Sequence, residues 1–190
     1  GDRTVNGFMK FTLLDEDAYA ALRATVVKAV AEYDTGHAHL DSLRRTVFHC
    51  CLTFIEHTLK TNFFVKEKQA LAFRLDPAYL ADLGPVSTAD LPAGTPFRVT
   101  FFFGGHAFGY HIGFSDIARG GWRTVICRTQ DDFLTNASTL FKESFVLAHT
   151  QHLKNKDIYE GGSKLVLLLD ASALSKEPRS VLDRLLRKQQ

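Results

Sequence analysis

Arg98-Val-Thr-Phe-Phe-Phe-Gly-Gly-His-Ala-Phe-Gly-Tyr-His-Ile-Gly-Phe114 carries two apolar runs, 98–103 and 108–114, separated by Gly104-Gly-His-Ala107. β-Favouring residues on both sides of a short glycine turn predict an antiparallel β-hairpin, with glycine supplying the positive φ of a tight turn. Phe101-Phe102-Phe103 belongs to an aromatic content skewed to 16 Phe against one Trp, which reads as sheet core.

Upstream of the hairpin the pattern is helical. Tyr19, Leu22, Val26, Val30 and Tyr33 recur at steps of three or four and predict a helix over 15–33 with one apolar stripe. Asp34-Thr-Gly36 breaks it. A second helix is predicted over 38–60, with Leu40, Leu43, Val47, Cys51, Phe54 and Leu59 broadly inward and Thr61-Asn62 ending it. Ala70–Leu75 reads as a strand closed by Asp76-Pro77, and 83–94 as loop.

Downstream, Ala118-Arg-Gly-Gly-Trp-Arg123 is expected at the exit of the hairpin strand, before a short strand over 124–128. A helix over 135–153 then leads into a glycine turn and a buried strand, Leu165–Leu169. A last helix over 178–188, capped by Ser172 or Ser175, places Val181, Leu182, Leu185 and Leu186 on one face.

The fold class that follows is mixed α/β, α+β-like. N-terminal helices precede antiparallel hairpin strands that join a mixed sheet flanked by helices. There is no complete Rossmann unit, because no strand is followed by G-x-G-x-x-G. The expected organisation is an N-terminal helical segment over 1–62 packed on the domain, a central domain over 63–170, and a C-terminal helix over 171–190.

Composition narrows the function classes. The 190 residues carry a formal net charge of +2 with both signs interspersed, which argues against nucleic-acid or membrane partners. No apolar run approaches the roughly 20 residues of a membrane-spanning helix. Signal-peptide patterning is missing and the first residue is Gly, which reads as a cut from a longer protein. Cys50, Cys51 and Cys127 lack metal-ligand spacing and are expected to be buried free thiols in a reducing compartment.

Three segments concentrate cations beside glycine: Arg119-Gly-Gly-Trp-Arg123, Lys154-Asn-Lys156 and Gly161-Gly-Ser-Lys164. Like charges held together in a partly desolvated site repel unless an anion meets them. A dicarboxylate would do so, leaving one lysine free for proton transfer. Arg119 suits bidentate carboxylate binding. His149 and His152, and His106 and His111, are weaker candidates for a metal site, and no metal is expected. Glu143 is read as a surface salt-bridge partner.

His57-Thr-Leu-Lys-Thr-Asn-Phe-Phe64, Ala70–Pro77, Asp116–Arg123 and Leu140–Lys164 together resemble the large NAD-specific glutamate dehydrogenases, over about Leu59 to Leu169. The resemblance implies that Lys164, the lysine of Gly-Gly-x-Lys, is the catalytic base. It implies that Lys154 of Lys-Asn binds the substrate α-carboxylate and that Arg119 also binds substrate. Gly120, Gly121, Gly161 and Gly162 would let substrate approach the backbone. It further implies NAD, held by a domain absent from this chain, and glutamate or 2-oxoglutarate as ligand.

A homo-oligomer, cytoplasmic or in a eukaryote mitochondrial, is the corresponding expectation. Departures from the family pattern are Leu165 where glycine usually follows the lysine, Tyr159 where proline is common, and Lys142, Ser144, Val146 and His152 on the preceding helix. The family's proton-donating Asp has no match here, and Asp170 is too close to the lysine. Leu165, crowding a substrate turn, motivates the alternative of a degenerate, non-catalytic ligand-binding or structural module.

Overall fold

A computed structural model describes residues 15–83, 88–155 and 157–172, together with the backbone of 4–5 and 8–10. Eight strands form one mixed sheet: β1 (Thr4–Val5), β2 (Phe8–Lys10), β3 (Thr58–Thr61), β4 (Ala70–Leu75), β5 (Arg98–Gly104), β6 (Ala107–Gly113), β7 (Ala118–Cys127) and β8 (Gly161–Asp170). Their order is β1-β2-β3-β4-β5-β6-β8-β7. Every pairing is antiparallel except β7 with β8, which run parallel. The helices are α1 (Glu16–Ala31), α2 (Ala38–Glu56), the short α3 (Tyr79–Asp82) and α4 (Gln130–Lys154). The predicted mixed α/β class holds.

The hairpin is β5–β6, paired from Arg98↔Gly113 to Phe103↔Phe108. Its turn does not use left-handed glycine. Among the described residues positive φ occurs at Gly36 and Gly94, and neither Gly104 nor Gly105 needs it. The long helix begins at Gln130 rather than 135, because the Thr129 hydroxyl accepts from the Asp132 N–H at 3.1 Å and caps it. It carries the chain from β7 back to its parallel neighbour β8, the crossover that parallel pairing demands.

Two stretches read as turns are strand. Arg119–Arg123 lies within the ten-residue β7, and Gly161–Lys164 opens the ten-residue β8. In both cases the neighbouring strand supplies hydrogen bonds that local glycine content does not reveal. The second helix likewise stops at Glu56, and Thr58–Thr61 joins the sheet as β3. The 178–188 helix lies outside the described residues.

Cross-strand partners share a face, and the register sorts the sheet into two. Leu75, Val99, Ile112, Lys164 and Gly121 form one row. The first three pack with Phe145 and Ala148 of α4, and a second buried cluster joins Cys127, Val166 and Leu168 to Leu140. The core therefore lies between α4 and β5-β6-β8-β7. Lys60, Arg74, Thr100, His111, Leu165 and Trp122 form the parallel row on the opposite face. Leu165–Leu169 is accordingly not buried on both sides: Val166 and Leu168 are buried, and Leu165, Leu167 and Leu169 half-buried.

The N-terminal helices overturn an expectation. They lie antiparallel, joined by the Arg23–Glu56 ion pair and the Tyr33–Phe48 ring contact at 6.1 Å. Yet Leu22, Val26, Leu40, Leu43, Val47, Cys50, Cys51 and Leu59 are exposed; only Val30 of α1 is buried, and Phe54 is the half-buried apolar anchor of α2. Amphipathic periodicity shows that a face is apolar, but what covers it is set elsewhere. Phe54 reaches the core through Phe73, with ring centroids 5.0 Å apart. Cys127 is buried as expected, whereas Cys50 and Cys51 are not.

Candidate functional site

The cations and glycines gather at the end of the sheet where β7 and β8 begin. Parallel pairing sets Arg119 opposite Gly162, Gly120 opposite Ser163 and Gly121 opposite Lys164. β7 is an edge strand, so one side of its backbone stays unpaired by the sheet. Lys164 is half-buried at the rim of the row that continues into Ile112 and Val99. Its Nζ lies 3.1 Å from where a Gly121 Cβ would stand. A side chain at Gly121 would crowd that amine; its absence leaves the amine open over bare backbone.

The other glycines are explained by packing. A Cβ on Gly162 would fall 1.9 Å from the His152 N and 2.5 Å from the Gln151 carbonyl carbon. One on Gly161 would meet the Ser115 Cβ at 2.4 Å, and one on Gly120 the Ser163 O at 1.5 Å. These positions let backbone approach backbone. Gly162 seats the C-terminal end of α4 directly on the start of β8.

That seating positions Lys154. It is the exposed last residue of α4, where a cation complements the helix dipole. The next residue, Asn155, is buried: its amide donates to the Gly161 O at 3.0 Å and its Oδ1 accepts from Gln151 Nε2 at 3.1 Å. The Gly162 N–H donates to His152 Nδ1 at 3.3 Å. Two side-chain contacts thus tie the helix end to the lysine strand, and the Gln151 bond holds Asn155 in place for one of them. Sequence reading missed Asn155 as a brace, although its adjacency to Lys154 was the available signal.

Arg119 is exposed on β7 and pairs with Glu160 at 3.5 Å, a surface contact of small energetic weight. Glu143 accepts from Arg123 at 2.6 Å and clamps α4 to β7. Lys156 lies outside the described residues. The structure brings Lys164, Gly121, Arg119 and the end of α4 to one corner, and Lys154 enters through the helix terminus.

Leu165 does not crowd Lys164. Successive strand residues point to opposite faces, so Leu165 lies in the row with His111 and Trp122, away from the amine. Tyr159, where the family favours proline, is 98% exposed. The rings of His149 and His152 lie against Phe114, at 5.3 and 5.5 Å. Among the described residues no three His, Cys, Asp or Glu side chains gather to hold a metal ion, and no helix is long and apolar enough to cross a membrane.

A helix-backed mixed sheet presents Arg-Gly-Gly on its edge strand against Gly-Gly-Ser-Lys on the neighbouring strand, so that cations and bare strand backbone share one corner. Residues 35–184 match the family described as "Bacterial NAD-glutamate dehydrogenase, catalytic domain", and the chain belongs to that family. It is 43% identical over 155 residues to "Glutamate dehydrogenase 2" of Dictyostelium discoideum, covering 76% of this chain and 14% of that protein. It is 45% identical over 117 residues to the "NAD-specific glutamate dehydrogenase" of Saccharomyces cerevisiae, covering 62% and 10%. The Neurospora crassa protein of the same name is 41% identical over 141 residues, covering 70% and 13%. The chain thus spans about an eighth of the length of these relatives.

Proposed function

We propose that this chain is the part of an NAD-dependent glutamate dehydrogenase that holds glutamate or 2-oxoglutarate for oxidative deamination. The observation that carries this reading is the Lys164 amine standing over the bare backbone of Gly121. In this reading Lys164 is the proton-transfer base at the substrate α-carbon. Lys154 takes the α-carboxylate, Arg119 a further carboxylate oxygen, and Gly121 gives the substrate room beside the amine. Gly120, Gly161 and Gly162 act by holding the helix end, the two strands and Ser115 at close approach.

NAD does not fit the crossover of this chain. The turn from β7 into α4 has no glycine, and the first turn of α4 carries Asp131 and Asp132, which would repel a pyrophosphate. In our reading NAD is therefore held by a domain outside this chain, which alone is inactive, and hydride transfer is assigned to none of its residues. The uncovered apolar face of α1 and α2 fits a homo-oligomer or a larger assembly in the cytoplasm or, in a eukaryote, the mitochondrion.

Calorimetric titration with 2-oxoglutarate tests the reading. Saturable heat that disappears in Lys154→Ala and Lys164→Ala is expected. No heat at millimolar ligand would overturn substrate binding and favour a non-catalytic module, whose sequence argument, Leu165, is weakened by the placement of that side chain on the far face.

A further inference from the structure

The face of the sheet turned away from α4 carries charge that the glutamate dehydrogenase reading does not use. Arg74 on β4, Arg98 on β5 and His111 on β6 lie on adjacent strands, all half-buried. Register sets Arg74 and His111 on either side of Thr100, and Lys60 beyond Arg74. Both guanidinium carbons lie near one ring, that of Phe97, at 5.9 Å for Arg74 and 5.4 Å for Arg98. The Arg98 stem runs over Gly113, where a Cβ would meet its Cγ at 3.2 Å.

Among the described residues no carboxylate pairs with these charges. The ion pairs found among the described residues involve neither arginine nor His111. Arg98 donates through one terminal nitrogen to the carbonyls of Asp116 and, at 3.4 Å, Ser115. The Nε atoms of both arginines are buried and lack a hydrogen-bond partner. Burial and the Arg98 charge lower the pKa of Arg74; burial first, then Arg98 and Arg74, lower that of His111. Each group makes the others less comfortable, the reverse of a structural salt-bridge network.

Partly desolvated cations without a counter-charge mark a site for an anion. Two planar guanidinium forks beside an imidazole match the several acceptor oxygens of a phosphate group. Phe97 supports both forks by cation–π contact. The place is distinct from the lysine corner, since Lys164 lies in the row on the opposite, helix-covered face.

We propose that Arg74, Arg98 and His111 form a binding site for the phosphate group of a small metabolite on the sheet face turned away from α4. Arg74 is the principal ligand, because Arg98 already spends donors on two carbonyls. An anion there removes the mutual repulsion of the three groups and favours the protonated imidazole.

The test uses the full 190-residue chain, with its histidine rings isotopically labelled for NMR. It is titrated with inorganic phosphate or glycerol phosphate, and with chloride at matched ionic strength. A saturable movement of the His111 resonances by either phosphate, with chloride inert, is expected. A response to glycerol phosphate tighter than to inorganic phosphate identifies a phosphate monoester as the ligand; the reverse order identifies free phosphate. Arg74→Gln should weaken the response by about tenfold or more, while Arg74→Lys retains part of it. Lys164→Ala should leave it within about twofold, which separates this site from the substrate reading.

Circular dichroism confirms that each variant is folded. If Arg74→Gln does not fold, the wild-type titration decides alone. His111 resonances unmoved by both phosphates, or moved equally by chloride, would overturn the proposal.

Discussion

Replacing Gly162 by alanine should cost far more than its single methyl suggests. The added Cβ would stand 1.9 Å from the His152 N, 2.5 Å from its Cα and 2.5 Å from the Gln151 carbonyl carbon. All three are backbone atoms of α4, so no rotamer change relieves the overlap. Ordinary contact requires about 3.5 Å, and the end of the helix must retreat by roughly 1.5 Å. That movement lengthens the Asn155–Gly161 and His152–Gly162 hydrogen bonds and loosens Ala148 and Phe145 above the sheet. Overpacking of this kind costs about 1–3 kcal/mol, and backbone on both sides puts Gly162→Ala at the upper end or beyond it.

In a domain of this size about 3 kcal/mol lowers Tm by roughly 6–12 °C. Urea denaturation followed by far-UV circular dichroism reads the change directly. Gly105→Ala is the control, since nothing lies within 4 Å of its Cβ position. Its effect should stay within about 0.5 kcal/mol. A Gly162→Ala protein as stable as the Gly105→Ala one would refute the close seating of α4 on β8, and with it the placement of Lys154.

Other outcomes follow from the same geometry. Gly121→Ala meets only the flexible end of Lys164, so stability should change by less than about 1 kcal/mol while 2-oxoglutarate affinity, read by calorimetry, falls. Leu165→Gly should destabilise by about 1–2 kcal/mol in urea without improving that affinity, because Leu165 packs on the face away from the amine.

The buried Asp41 carboxylate is held down to about 2, first by the Thr35 N–H and also by the Thr35 hydroxyl, Arg44 and the His37 N–H. Its stabilising contribution is complete above its ordinary value of 3.8 and is lost as pH falls toward 2. Asp41→Asn should flatten the acid-unfolding curve across that window. His111 has a folded-state pKa below its ordinary 6.5, so the unfolded chain binds the proton first and stability drops as pH falls below 6.5. His111→Gln should remove that part of the slope in thermal melts collected across the range.

The hairpin, the central strand at Ala70–Leu75 and the long helix were legible because their signals are local: alternation, turn residues and 3.6-residue periodicity. The family was legible too, since Arg119-Gly-Gly-Trp-Arg123 and Lys154–Lys164 keep their spacing whatever their secondary structure. The two glycine segments were not legible as strands, because β7 is held by β8, and β8 by β6 and β7, partners tens of residues away in the chain. Asn155 could not be read as a brace without the helix end resting on Gly161 and Gly162.

By itself the sequence determined that cations and glycines of a glutamate dehydrogenase kind recur in order, and that one face of each helix is apolar. Tertiary structure alone decided what those residues do in space. Strand pairing drew Gly161–Lys164, the end of the expected glycine turn, into β8 and sent Lys164 and Leu165 to opposite faces. Register also gathered Arg74, Arg98 and His111 from three separate strands. The physical reason is range: periodicity and capping act over a few residues, whereas strand pairing joins groups tens of residues apart through hydrogen bonds that no local pattern encodes.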